Sequence, residues 1–224
     1  MKSKLILYLW CMCTFSACTS SGKGGKEETL YSGEIRIAVD ESFKPIMEEE
    51  LQVYHALTPE ALITPIYCSE VEAVNLLLKD SVRLAVTNRR LTEEELISFH
   101  TRKFFPESIL MALSGVALIT HHSNPDSLIT VEEFRRIATG ETTEWKGLNP
   151  DSKLGCIQVV FDNPNSGTVH YVIDSICQGK PLSPSLKALK SNEEVIDYVA
   201  TTPDALGVIG ANWIGNKTDT TRLS

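Results

Sequence analysis

Glu34-Ile35-Arg36-Ile37-Ala38-Val39-Asp40-Glu41-Ser42-Phe43 changes periodicity within ten residues. Ile35, Ile37 and Val39 alternate, which predicts a strand. From Ser42 the apolar positions Phe43, Ile46, Leu51 and Tyr54 fall at helical spacing. A strand therefore feeds a helix through Asp40 to Ser42. The same grammar recurs down the chain. Strands are expected at 63–67 and 84–86, with a helix at 71–78 between them. Thr92-Glu93-Glu94-Glu95 has capping-box spacing and opens a further helix. Residues 109–120 form a long apolar run broken by Ser114-Gly115. Thr130-Val131-Glu132-Glu133 is a second capping box, whose helix ends near Gly140. A strand at 157–161, a helix at 168–177, a helix at 193–200 and a strand at 206–211 complete the series.

Strands separated by helices of this length predict an α/β protein with mixed, mostly parallel sheets. No period of 20–50 residues recurs, which excludes a solenoid. The apolar run at 109–120 and the strand at 206–211 are each expected to cross between two lobes. Two lobes with a cleft are the expected architecture.

Ahead of the body, Lys2 and Lys4 precede an apolar run at 5–15. A membrane-spanning helix needs about twenty apolar residues, so this run fits the core of a signal peptide instead. Phe15-Ser16-Ala17-Cys18 follows and resembles the bacterial lipobox, with Phe in place of the usual Leu. Cys18 is the expected lipidation site. Ser/Gly-rich residues 18–32 read as a flexible tether. The Gly-Lys-Gly-Gly-Lys stretch within them has no preceding strand and no closing Gly-Lys-Ser/Thr, so it is not a phosphate loop. The expected division is a lipoprotein signal peptide at 1–17, the tether at 18–32, lobe 1 at 33–114 and lobe 2 at 115–206. Residues 207–224 are expected to hold the second crossing strand and return toward lobe 1.

The formal charge of the 224-residue chain is −8, and more negative still once Lys2 and Lys4 leave with a signal peptide. An acidic surface argues against nucleic acid as a partner, but not against a small anion held by a few local donors. Cys68, Cys156 and Cys177 lie in the body without zinc-type spacing, and buried free thiols are expected. No metal and no cofactor is implied. The Gly-x-Ser-x-Gly elbow of hydrolases is absent from the sequence. His170 stands one helical turn from Ser166, which by itself is not triad geometry. An enzyme is not expected.

Two turns carry chemistry for one reason. Asp40-Glu41-Ser42-Phe43 and Asn163-Pro164-Asn165-Ser166-Gly167-Thr168 both lie where a strand enters a helix. Free backbone N–H groups and partial positive charge there favour an anion. Hydroxyls add donors, and Gly167 permits close approach. Ser and Thr are also the ordinary N-caps of any helix, so either turn alone is weak evidence.

A wider pattern adds to these turns. Val116-Ala117-Leu118-Ile119-Thr120, Asn124-Pro125, the stretch 128–137, Gly140 and Glu144-Trp145-Lys146 are similar to a block in one family of bacterial proteins. That family is the phosphate ABC transporter substrate-binding proteins, with the periplasmic binding protein type II fold. Asn88-Arg89-Arg90-Leu91 resembles its Ser-Arg-Pro-Leu segment, Ser166-Gly167-Thr168 its anion turn, and Leu206-Gly207-Val208-Ile209-Gly210 its second crossing strand. The resemblance runs from Gly33 to Gly215. It implies an extracytoplasmic solute-binding lipoprotein that captures a tetrahedral oxyanion, most directly inorganic phosphate, for an ABC permease. The membrane would be reached through the lipid anchor. The implied ligand shell is Ser42, Phe43, Ser69, Asn88 and Arg89 from lobe 1, with Ser166, Gly167 and Thr168 from lobe 2. The alternative is a domain of this type that has lost transport and serves as a sensor or interaction module.

Three departures matter. Asp162 stands where the family usually has an arginine, four residues before the Ser of Ser-Gly-Thr. A carboxylate facing phosphate at ~4 Å, at an effective dielectric near 20, costs about 4 kcal/mol per unit pair. Either Asp162 faces the cleft, or it turns outward and Arg89 supplies the missing charge. Asn88 replaces an aspartate found in some relatives. The family also carries a substantial C-terminal portion after the second crossing strand, so the chain is expected to be C-terminally truncated.

Overall fold

The computed structural model describes Thr29 and residues 31–126 and 128–214. The expected signal peptide, Cys18 and most of the tether lie outside the described residues.

Strand β1 (Gly33–Asp40) pairs in parallel with β2 (Ala61–Cys68) on one side and β3 (Leu84–Val86) on the other. Parallel neighbours need crossover connections, and helices supply them. A 3-10 turn, Glu41–Phe43, leads from β1 into α1 (Lys44–Leu57), and α2 (Glu70–Leu78) joins β2 to β3. Helix α3 (Glu93–Thr101) follows, and Thr92 and Glu95 make both halves of its capping box. This first lobe has a small core, with Ala38, Ala73 and Val82 at its centre. Leu62 and Leu84 remain half exposed on its strands.

The second sheet has the order β4-β7-β5-β6. Its strands are β4 (Val116–Thr120), β5 (Gln158–Phe161), β6 (Lys187–Ala188) and β7 (Ala205–Gly210). Only the β4–β7 pair is antiparallel. Successive side chains of β5 and β7 point to opposite faces, and both faces are covered, as such sheets require. Val159, Phe161, Leu206 and Val208 meet Phe134 and Ile137 of α4 (Val131–Ala138), together with the fully buried Trp145. Val160, Ala205 and Ile209 meet Val195, Ile196 and Val199 of α6 (Asn192–Thr201). The remaining helix, α5 (Gly167–Tyr171), continues as a π-helical turn over Val172–Ile176.

Two expectations change here. The apolar run at 109–120 is a strand only from Val116. Ile109, Leu110, Met111 and Leu113 are 69–90 % exposed, because the Ser114-Gly115 break separates them from the paired segment. The strand expected to leave the second lobe at 207 stays inside it. Gly207 to Gly210 pair with β4, and β7 is buried along its whole length. The chain turns toward the first lobe only at Ala211–Trp213, which packs near Glu41–Phe43 and α1. The three body cysteines are free thiols; Cys177 is buried, but Cys156 is exposed.

Candidate functional site

The site forms where the ends of β1 and β3 meet the turn after β5. Asp40 is the last residue of β1 and is 1 % exposed. Its Oδ1 accepts from the Ser42 backbone N–H at 3.0 Å and from the Ser42 hydroxyl at 2.9 Å. Its Oδ2 accepts from Asn88 Nδ2 at 3.2 Å and from the Gly167 N–H of the second lobe at 3.0 Å. A carboxylate offers about four acceptor positions, and here four donors fill them.

Gly167 makes this approach possible. A Cβ there would lie 1.9 Å from Asn88 Nδ2, so any side chain would push the lobes apart. Ser166 caps α5 by accepting from Val169 N–H, and its hydroxyl donates to Asp162 Oδ1 at 2.7 Å. Asp162 is 1 % exposed and also accepts from Asn192 Nδ2 at 3.2 Å. Asn192 reaches the first lobe as well, donating from its backbone N–H and its amide to Glu41 Oε2. Its Oδ1 accepts from Gly210 N–H at 3.0 Å. One asparagine thus ties together Glu41, Asp162 and β7.

Beside this lies a second carboxylate centre. Glu70 is fully buried. It accepts from Asn88 N–H at 3.0 Å, lies 2.8 Å from His170 Nδ1 and 3.5 Å from Arg89 Nε. Arg89 forks onto Glu95 through two 2.8 Å bonds. Those bonds hold its own pKa above the ordinary value and that of Glu95 below.

The structure brings Ser42, Asn88, Ser166 and Gly167 together, with Thr168 buried in the same turn. Phe43 stands next to Ser42 as the N-cap of α1 and is half-buried. Ser69 is not drawn in, because its hydroxyl caps α2 on Glu72 N–H. Between the two positions left open for Asp162, the inward one holds. The other fails twice, since Arg89 is taken up by Glu95 and Glu70. Burial pushes the Asp162 carboxyl up to about 6, opposed by its bond from Ser166. Burial also raises Glu41, against its two bonds from Asn192. His170 and Ser166 do not meet: the imidazole is engaged with Glu70, and the hydroxyl with Asp162. Among the described residues no cluster of three or more His, Cys, Asp or Glu could hold a metal, and no helix is long and apolar enough to cross a membrane.

Sequence reasoning missed the carboxylates and their partners: Asp40, Glu41, Glu70, His170 and Asn192. For Asp40 one local signal exists, an Asp before a Ser at a strand end, but it reads as a cap. Nothing local announces a bond to a residue 127 positions away.

A family model described as a PBP superfamily domain matches residues 24–223. The phosphate-binding protein PstS of Borreliella burgdorferi is 25% identical over 192 residues, covering 81% of this chain. The chain spans 65% of the length of that relative. A putative phosphate ABC transporter substrate-binding protein from Clostridium perfringens, solved with bound phosphate, superposes with a TM-score of 0.71 at 22% identity. The match covers 80% of this chain and 71% of that one. An OxyR2 regulatory domain from Vibrio vulnificus gives a TM-score of 0.58 at 9% identity, over 87% of this chain and 80% of that one.

Proposed function

Because the chain belongs to the PBP superfamily, with an α/β periplasmic binding protein type II-like fold, we propose that it is an extracytoplasmic solute-binding protein. It closes its two lobes over a tetrahedral oxyanion, phosphate foremost, and passes it to an ABC permease. Cys18 carries the lipid that holds it at the periplasmic face of a membrane. Ser42, Phe43 and Asn88 face the ligand from the first lobe, and Ser166, Gly167 and Thr168 from the second.

One observation carries this reading. The donors of the two lobes converge on a single oxyanion group, the Asp40 carboxylate, through Ser42, Asn88 and Gly167. Neutral donors of this kind suit an anion whatever its source, because they stabilise charge without adding a countercharge. The relatives named above as phosphate-binding proteins supply the choice of anion.

The test is calorimetric titration of the purified protein with phosphate, sulfate and molybdate. A saturable one-to-one heat is expected, and Thr168→Ala should weaken it by about 1–3 kcal/mol through loss of a hydroxyl near charge. Absence of heat with every oxyanion, in protein shown to be folded, overturns the reading.

A second reading has its own observation. Asp162 is buried beside the Ser166 turn while Arg89 is committed to Glu95 and Glu70, so Arg89 does not neutralise that buried acid. That balance favours a domain that no longer captures a free anion and works as a sensor or interaction module. The same titration separates the two.

A further inference from the structure

We infer that Asp40 is a built-in occupant of the ligand cleft, a carboxylate that holds the lobes shut until a free oxyanion displaces it. This rests on the oxyanion-capture reading for the identity of the competitor, but not for the latch itself.

The geometry supports it on three counts. Asp40 comes from the first lobe, yet its Oδ2 takes the Gly167 N–H of the second lobe and the Asn88 amide at the same time. All its acceptor positions are in use, so the group is satisfied as it stands, at 1 % exposure. Gly167 has no side chain to prevent the approach, and any Cβ would collide with Asn88.

The neighbouring contacts repeat the pattern. Glu41 of the first lobe accepts from Asn192 of the second, and Glu70 of the first meets His170 of the second. Closure in this chain is made by first-lobe carboxylates on second-lobe nitrogen groups. Asp40 differs from the other two in sitting on the donors that a captured anion would need. A free oxyanion and the Asp40 carboxylate therefore compete for one set of donors. Removing the carboxylate frees those donors and also removes a like charge from the ligand's path. Asp40 becomes both the latch and the residue that sets how strong an anion must be to enter.

The test uses the full chain and its Asp40→Asn variant. The asparagine keeps one oxygen for Ser42 but turns a donor toward Gly167 N–H, so the turn survives and the bridge between lobes does not. Small-angle scattering without ligand reads the latch. The variant is expected to have a larger radius of gyration than wild type, and an unchanged radius overturns the inference. Titration with phosphate and sulfate reads the competition. The variant should bind at least about tenfold more tightly, or about 1.4 kcal/mol. Weaker binding by the variant than by wild type would make Asp40 a ligand contact and overturn the inference, leaving the capture reading intact. If the variant opens but neither protein binds any oxyanion, the latch stands and the capture reading fails. Should Asp40→Asn not fold, Gly167→Ala breaks the same contact from the other side. It must expand the ligand-free protein by scattering, and failure to do so overturns the inference.

Discussion

Asp162 shows how one side chain sets the response of the cleft to pH. Burial raises its carboxyl from 3.8 to about 6, with the negative charge of Asp40 adding to the effect. The folded state therefore holds a proton that the unfolded chain would release. Its contribution is present at low pH and is lost as pH rises from 3.8 to about 6, worth about 3 kcal/mol. Glu41, raised by burial, acts in the same direction. Glu95, lowered chiefly by its bond from Arg89, acts in the opposite one, its stabilisation being lost as pH falls. Asp162→Asn should flatten the rise in stability expected on acidification toward pH 5, as read by urea unfolding at several pH values. An unchanged pH profile would remove Asp162 from that role. Under the proposed function, protonation of Asp162 also removes a negative charge beside the Ser166 turn. Sulfate, whose own charge is constant near neutrality, should then bind more tightly at about pH 5.5 than at about pH 7.5. Asp162→Asn should largely abolish that difference, and calorimetry at the two pH values decides it.

The elements were legible wherever local rules and packing agree. The two capping boxes, Thr92 to Glu95 and Thr130 to Glu133, appear with both halves formed. The alternation around Ile37 and Val39 ends, as read, at the turn into α1. The run at 109–120 misled because apolar content does not create a pairing partner, and only Val116 onward finds β7. The donor half of the site was legible for the same local reason, since Ser42 and Ser166 mark strand-to-helix turns. The acidic half was not, because Asp40 meets Gly167 and Glu41 meets Asn192 only through the fold, at separations of 127 and 151 residues. Strand β7 makes a prediction of its own. A Cβ at Gly207 would lie 2.7 Å from both Ile119 Cγ1 and Val199 Cγ2, and 2.9 Å from Val195 Cγ1. Gly207→Ala should overpack this junction of β4, β7 and α6 and cost about 1–3 kcal/mol in chemical unfolding. A neutral effect would mean that α6 moves away freely.

At the scale of the whole molecule, two sheets of unequal cover face one another across a seam of carboxylates and donors. The second lobe has core on both faces of its sheet, while the first leaves Ile35, Leu62 and Leu84 partly open to solvent. The mechanical sense is a firm second lobe presenting Gly167 and Asn192, and a lighter first lobe bringing Asp40, Glu41 and Glu70 to it. The chain carries an overall charge of −8, so under the proposed function an anion is selected by the local donors and not by attraction to the surface at large. In the proposed function those donors, with the Gly167 amide among them, take an oxyanion between the lobes. The direct measurement is the amide resonance of Gly167, followed by NMR as phosphate is added to the purified protein. A saturable shift is expected at Gly167, together with Asn88 and Ser42, as Asp40 gives way to the ligand. No movement at these amides in a large excess of phosphate would overturn the proposed function.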